Sequence, residues 1–340
     1  MPIIAIVSLL FINEAEKKLM LKLTLSLSIA NLFVIIIALL LYDPNISNFQ
    51  FQFIIFDKLL GGLDGISLWL IFLVNLIIPI VILDAWKTID NLKFYLLKVF
   101  LVNFWSNAVF WSLDILLFYI SFEAILPPMY FLIGYYGSRN KKVEEAQNKF
   151  FIYTLVGSLF LLISILTLYL QTGTTDYQLL LTLPISHNYQ IFLWSGFFIA
   201  FAIKTPMWPF HIWLPVAHGE SSTGTSVILA AILLKLGSFG FIRYSLPLFP
   251  YASEYLLPLV LKLAIISIIY SCISAFSLLD LKSIIAYSSI AHMNVGVIGI
   301  FSNDLNGLSG AYLYSISHGL VSSGLFLLAG HIYERYHTKT

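Results

Sequence analysis

Long apolar stretches repeat through almost the whole sequence, and they limit the possible folds more than any other feature. Hydrophobic residues make up 59% of the 340 residues, and charged residues make up only 10%. Soluble domains contain about 25% charged residues, so a soluble protein of this composition could not cover its apolar surface. Because about 20 apolar residues are enough to cross a bilayer as a helix, the sequence predicts a membrane protein.

Eleven membrane-spanning helices are predicted, because backbone groups exposed to lipid must be hydrogen-bonded within their own segment. The first, at residues 1–12, is short at its start. The others lie at 21–42, 63–84, 93–113, 114–136, 148–170, 190–212, 224–245, 255–277, 282–302 and 308–332. The predicted fold class is therefore an all-α, polytopic membrane protein. Residues 43–62 contain a run of alternating apolar and polar residues that could form a small hairpin outside the bilayer.

Basic residues concentrate on one side when alternate loops are assigned to opposite sides of the membrane. That side holds Lys17, Lys18, Lys22, Lys87, Lys93, Lys98, Arg139, Lys141, Lys142, Lys149, Lys282, Arg335 and Lys339, and the other holds only Lys58 and Arg243. Positively charged loops remain inside, so we expect the N-terminus outside and the C-terminus on the matrix or cytoplasmic side. The formal net charge of +1 argues against a nucleic-acid partner.

The order of the predicted spans divides the chain into three regions. Residues 1–92 form N-terminal transmembrane helices, residues 93–250 a first five-helix repeat, and residues 251–340 an incomplete second repeat. Because five is odd, consecutive five-helix units would enter the membrane from opposite sides. Inverted repeats of this kind are typical of transporters.

Five ionisable residues on five predicted spans lie at similar depth. They are Glu123, Lys204, Lys235, His292 and His318. A charge at the bilayer centre costs roughly 2.5–3.5 kcal/mol or more, and such residues usually mark ion or proton pathways. Each one alone could be a polar residue that a neighbour satisfies, but five in one layer favour a proton relay. A haem bound by the two histidines is a weaker alternative.

Prolines follow two of these residues closely. Pro127 and Pro128 come after Glu123, and Pro206 and Pro209 come after Lys204. Proline cannot donate to the carbonyl four residues before it, so each pair is expected to break its helix. Broken helices at membrane depth are tolerated where protein or a watery cavity surrounds them. The alternative is a purely structural kink.

Two histidines follow the second proline pair. Histidine is suited to relaying protons near neutral pH, so His211 and His218 are further candidates. His211 could instead cap or pack, and His218 could be a proton uptake point or a solvated loop residue. The single cysteine, Cys272, excludes a thiolate-bound cluster within this chain, and we expect no cofactor and no metal.

Several stretches together resemble the antiporter-like membrane subunits of respiratory complex I. The run from Lys204 to His218, Lys-Thr-Pro-Met-Trp-Pro-Phe-His-Ile-Trp-Leu-Pro-Val-Ala-His, carries the strongest resemblance. It continues through residues 226–237, 281–294, 317–320 and 330–338. The resemblance extends over nearly the whole chain, although the first 60 residues are not diagnostic.

This resemblance implies a subunit with two inverted five-helix repeats and a buried polar axis for proton pumping. Glu123, Lys204 and Lys235 match the acid and lysines of the first repeat, and His292 and His318 match histidines that link the halves. Other membrane-arm subunits and lipids would be its partners, in the mitochondrial inner membrane or, alternatively, a bacterial plasma membrane. Two alternatives remain open: a cation/proton antiporter subunit, and a scaffold subunit that has lost pumping.

Two features depart from the family pattern. After His218 the chain reads Gly-Glu-Ser-Ser, where relatives usually carry an Ala-Pro pair. The second repeat also lacks its last helices, so we expect another chain or a continuation to supply them. The expected docking face on the last span consists of small or polar residues, namely Ser315, Ser317, Gly319, Ser322, Ser323 and Gly324.

Overall fold

Helices make up most of the structure, a computed structural model that describes residues 1–46, 48–55, 58–89, 91–137, 141–336 and 338. The helices are α1 Pro2–Phe11, α2 Lys17–Leu41, α3 Gly65–Thr88, α4 Leu92–Trp111, α5 Ile115–Ala124, α6 Leu126–Tyr136, α7 Lys142–Thr172, α8 Tyr177–Thr182, α9 His187–Lys204, α10 Trp213–Glu220, α11 Thr223–Ile228, α12 Leu234–Gly240, α13 Leu246–Leu248, α14 Pro250–Tyr255, α15 Leu257–Phe276, α16 Leu281–Ile300 and α17 Leu305–Tyr336. Two π-helical segments, Leu229–Leu233 and Phe241–Ser245, flank α12 and join α11 to α13 in one long helix.

Nine helices in the described ranges are long and apolar enough to cross a membrane. They correspond to nine of the ten predicted spans from 21–42 to 308–332. The tenth, at 190–212, is not among them, because its helix α9 ends at Lys204 and the chain becomes helical again only at α10. The first predicted span is different, because α1 has only 10 residues and rises about 15 Å, half of the bilayer core. Just beyond its end, the Lys93 ammonium donates to the Ile12 carbonyl at 2.8 Å.

A small antiparallel hairpin links α2 to α3, as the alternating run predicts. Strand β1 (Gln50–Ile55) pairs with β2 (Lys58–Leu63), and Gln50 lies opposite Leu63. The hairpin rests on the end of α4, where Gly61 leaves no room for a side chain. A Cβ at this position would lie 2.5 Å from the Trp111 ring.

The long helix from Thr223 to Leu248 lies at the centre of the bundle. Its most apolar stretch of 18 residues is completely buried, whereas only 17% of the corresponding stretch of α2 and 22% of that of α15 are buried. A helix that is apolar all round belongs in the middle of a membrane bundle. Any ionisable side chain on this helix must therefore find its partners inside the protein.

The small residues of α17 mostly face inward, which corrects the expected docking face. Ser315, Gly319, Ser322 and Ser323 are buried within this chain. A Cβ at Gly319 would lie 2.7 Å from Leu73 and 3.4 Å from Cε of Lys235, so the small side allows close packing on α3 and α12. Of the six residues, only Ser317 is exposed, and Gly324 is half-buried.

Candidate functional site

The chain is genuinely non-helical after Lys204, where α9 ends. The backbone groups that this break releases find new partners. The Ala202 carbonyl accepts from the Met207 amide at 2.8 Å, and the Ile203 carbonyl accepts from the Trp213 indole at 3.0 Å. Side chains of neighbouring helices serve the rest, because Trp208 donates its amide to Ser267 at 2.7 Å. The break is thus held rigidly by protein, as irregular backbone at this depth requires.

Lys204 is buried at this break. Its side chain is 1% exposed, and its ammonium has no hydrogen-bond partner in the described structure. The Nζ atom lies 4.8 Å from the centroid of the Phe122 ring and 5.9 Å from that of Phe150. Its charged interaction partner is Glu123. An ammonium buried between aromatic faces, with one carboxylate acting on it, is costly to keep charged.

Glu123 stands on the last turn of α5, opposite Lys204. It interacts with the Lys204 ammonium and the Ser158 hydroxyl, and its Oε1 atom is buried with no hydrogen-bond partner. The predicted helix break here is limited to one residue, because Ile125 keeps helical angles and accepts from the Met129 amide at 3.2 Å. Pro127 therefore bends the span slightly, and only the helix at Lys204 is fully broken.

Lys235 lies on α12, between the two π-helical segments of the central helix. Its side chain is 1% exposed. The ammonium donates to the Ala230 carbonyl at 2.6 Å and lies 2.9 Å from Nδ1 of His318. Ala230 belongs to the first π-helical segment, and the wide turn leaves its carbonyl free to accept from the side chain. Lys235 and His318, which were predicted only to share a depth, are therefore in direct contact.

His292 extends this contact toward the surface of α16. Its ring centroid lies 6.0 Å from that of His318, and its Nδ1 atom hydrogen-bonds with the Tyr314 hydroxyl. His292 is exposed on the surface of this chain, although it lies in the middle of its span. The five predicted residues thus form two groups, Glu123 with Lys204 and Lys235 with His318 and His292. No hydrogen bond or ion pair joins the two groups within the described part of the chain.

The two other predicted histidines, His218 and His211, are both buried. His218 is 0% exposed, both of its ring nitrogens are without a hydrogen-bond partner, and its ring stacks on Phe326 at 4.3 Å. The alternative of a solvated loop residue is therefore wrong. His211 is also buried, and it packs against the rings of Tyr270 and Tyr287.

Two polar networks lie outside the predicted set. Near the C-terminal end of the central helix, Arg243 is buried and makes a 2.6 Å ion pair with Asp64, which also caps α3. A chain of asparagine side chains joins α2, α3 and α4 through Asn31, Asn75, Asn107 and Asn103. Asp64 directly precedes Gly65 and an apolar run, a position typical of a helix N-cap, but its pairing partner is 179 residues away, and no local pattern indicates it.

Removing the Asp64 charge should destabilise the packing of α3 against the C-terminal end of the central helix. Asp64→Asn keeps a side chain able to cap α3 but leaves Arg243 as a buried, unpaired cation. Breaking a buried pair costs about 3–5 kcal/mol, and partial exposure of Asp64 reduces this to about 1–3 kcal/mol. Thermal unfolding in detergent measures the change. Asp176→Asn, at the cap of α8, is the matched control, and equal stability of the two variants would contradict the prediction.

The described residues contain no group of three or more His, Cys, Asp or Glu side chains that could hold a metal ion. Cys272 is exposed on α15. What the site offers instead is a set of bases and acids that can each carry one proton.

Comparison with known proteins identifies the family of the chain. Residues 112–340 match the family model described as NADH:quinone oxidoreductase/Mrp antiporter, TM. The chain is 46% identical to NADH-ubiquinone oxidoreductase chain 4 of Chondrus crispus, over 99% of this chain and 70% of that protein. It is 44% identical to chain 4 of Arabidopsis thaliana with the same coverage.

Solved structures show the same fold. A chain of respiratory complex I from Thermus thermophilus with bound NADH superimposes with a TM-score of 0.83 at 31% identity, over 99% of this chain and 71% of that chain. A chain of an archaeal membrane-bound sulfane sulfur reductase superimposes with a TM-score of 0.86 at 18% identity, which shows a shared fold alone. This match covers 98% of this chain and 69% of that chain. The chain therefore belongs to the NADH:quinone oxidoreductase/Mrp antiporter family of transmembrane subunits.

Proposed function

We propose that this chain is a proton-translocating membrane subunit of a respiratory NADH:ubiquinone oxidoreductase. The chain 4 relatives and the complex I structure support the assignment to that enzyme. The observation that carries the proton role is the pair of fully buried lysines, each facing one proton-carrying partner. Lys204 faces Glu123, and Lys235 contacts His318.

The buried lysines act as switchable proton carriers. An ammonium in an apolar pocket is costly, so a small change in its distance from a counter-charge decides whether it keeps its proton. Movement of Glu123 toward Lys204 favours the charged lysine, and movement away favours proton release. Redox work done elsewhere in the enzyme would drive such movements, and the proton would then pass toward Lys235.

The Lys235–His318 contact forms the second half of the path. When Lys235 holds the proton, its ammonium donates to the Ala230 carbonyl and to Nδ1 of His318. Transfer across the 2.9 Å contact leaves a neutral amine and a protonated imidazole, which can pass the proton on toward His292. His211 and His218 are proposed as supporting proton carriers, because both are buried and have ring nitrogens without partners.

The membrane location and orientation follow from the same proposal. As a subunit of this enzyme the chain lies in the mitochondrial inner membrane, the C-terminal end of α17 faces the matrix, and the N-terminus faces the opposite side. In this frame 1–92 is an N-terminal helical region, 93–250 the first five-helix repeat and 251–340 part of the second. Access of a protease to a C-terminal tag from the matrix side checks this orientation.

Other subunits of the enzyme are the proposed partners, and one protein surface is expected against α16 and α17. His292 and Tyr314 form an exposed polar pair in the middle of two spans, where lipid would leave their remaining hydrogen-bonding capacity unused. We propose that a helix of another chain or of a continuation of this chain, carrying an acid or a lysine, covers the pair. An assembled complex in which this face meets only lipid would contradict the proposal.

Ion coupling in the assembled enzyme tests the function. In proteoliposomes, NADH-driven pH change should proceed at the same rate in sodium-free buffer and should disappear with a protonophore. The alternative, a cation/proton antiporter subunit, requires pH change that depends on sodium and occurs without NADH. Sodium dependence of this kind would overturn the proposed function in favour of the antiporter.

A further inference from the structure

A buried carboxylate at the inner end of α3 is not part of the relay described above. The Asp84 side chain is only 6% exposed, and its Oδ1 atom lies 3.9 Å from Nε2 of His331 on α17. His331 is 58% exposed. His331 is thus accessible from outside the chain, and Asp84 lies inside the bundle.

Three further groups face the Asp84 carboxylate. The Gly224 amide hydrogen-bonds to it, and the charges of Lys282 on α16 and Glu334 on α17 act on it. Lys282 also donates to the Ser221 carbonyl at 2.9 Å, which holds the ammonium at the loop before α11. The Asp84 carboxylate therefore has one cation, one acid and one imidazole around it.

The Asp84 carboxylate reaches the first turn of the helix that carries Lys235. A Cβ at Gly224 would lie 3.4 Å from Oδ2 of Asp84 and 2.4 Å from the Tyr95 hydroxyl. Tyr95 is buried and hydrogen-bonds with Thr225. The absence of a side chain at Gly224 therefore brings a carboxylate, a phenol and a hydroxyl together at the inner end of the central helix.

His218 lies between this cluster and Lys235 when positions are measured along α17. His331 follows Phe326 by five residues, and Phe326 follows His318 by eight, which are rises of about 7.5 Å and 12 Å. His218 stacks on Phe326, so its ring lies at the intermediate level. The buried hydroxyls of Ser226 and Ser322 are on the two helices that line the longer gap.

We propose that Asp84, together with His331, accepts protons from the inner side of the membrane and delivers them through His218 to Lys235. This inference rests on the proposed function. A proton from the inner aqueous phase binds His331, passes to the Asp84 carboxylate, then through water to a ring nitrogen of His218. It ends on the neutral amine of Lys235, and no other bond forms or breaks. In this role His218 is the intermediate carrier and Tyr95 orients the carboxylate.

Asp84→Asn in the assembled enzyme tests the site. In proteoliposomes with the inner side exposed to the medium, we expect NADH-driven proton uptake to slow by about tenfold at alkaline inner pH. Acidifying the inner side should recover part of the rate, because direct protonation from water then replaces the missing acceptor. Asp84→Glu should keep most of the activity, and His331→Gln should slow uptake less than Asp84→Asn while moving the pH profile in the same direction.

Glu145→Gln is the matched control, because Glu145 is an exposed acid at the inner end of α7. It should pump as the native enzyme does. A merely structural Asp84 would lower the amount of assembled enzyme in both Asp84 variants and leave the uptake per enzyme and its pH profile unchanged, which would overturn the inference. If Asp84→Asn does not assemble, Asp84→Glu and His331→Gln decide by the same pH profile.

Failure of the inference is distinguishable from failure of the proposed function. If Glu123→Gln abolishes pumping while Asp84→Asn and His331→Gln pump normally, the inner acceptor is elsewhere and the proposed function stands. If the enzyme with Glu123→Gln also pumps normally, the proposed function itself is wrong.

Discussion

Glu123→Gln is expected to reduce NADH-driven proton pumping by at least about tenfold while the enzyme still assembles. Gln keeps the size of the side chain and can still bond to Ser158, but it can neither carry a negative charge nor release a proton. Lys204 then has no carboxylate to favour its charged form, since its remaining neighbours are the rings of Phe122 and Phe150. The measurement is the ratio of protons translocated to NADH oxidised in proteoliposomes.

Two controls accompany this variant. Glu254→Gln changes an exposed acid on α14 and should leave the ratio unchanged. Glu123→Gln combined with Lys204→Met should be no worse than either single change, because residues that act as one unit are not additive. Normal pumping by Glu123→Gln would make Glu123 a packing residue and would favour the scaffold alternative.

Lys235→Met is expected to stop proton transfer between the two groups of the site, with a loss of similar size. Met preserves most of the volume in a pocket that is closed to solvent, so the central helix should remain folded. His318 loses its 2.9 Å partner, and the Ala230 carbonyl loses its donor. The same proton-to-NADH ratio measures the effect.

Lys235→Arg separates charge from proton transfer. Arg retains the positive charge but does not release its proton in proteins, so it should fail as Met does. Lys262→Met removes an exposed lysine from α15 and should pump normally. Pumping by Lys235→Arg at the native rate would show that Lys235 supplies only a fixed charge.

Much of the fold follows from the sequence, because a bilayer imposes a length and a composition on every span. The spans, the hairpin and the break at Lys204 were all predictable from apolar runs, alternation and proline positions. The contact between Lys235 and His318 was predictable only as shared depth, since depth along a helix says nothing about which face points inward. For this reason the exposed position of His292 was not predicted.

The remaining features depend on contacts between distant parts of the chain. Asp84 ends an apolar span and reads as an ordinary interfacial acid until α17 brings His331 beside it. The small residues of α17 were assigned to an outer face, because small residues mark close packing without indicating which neighbour they pack against. Ser322 and Ser323 in fact face the interior of this chain.

The two π-helical segments give the central helix spare length on both sides of Lys235. Each wide turn holds one residue more than an α-turn would, and such an extra residue can migrate along a helix without breaking it. Moving one past Lys235 would rotate the lysine by about 100°, the angular step of one helical residue. That rotation would move the ammonium away from His318 while both helix ends stayed fixed. The middle of the central helix could thereby rotate while its two ends kept their packing.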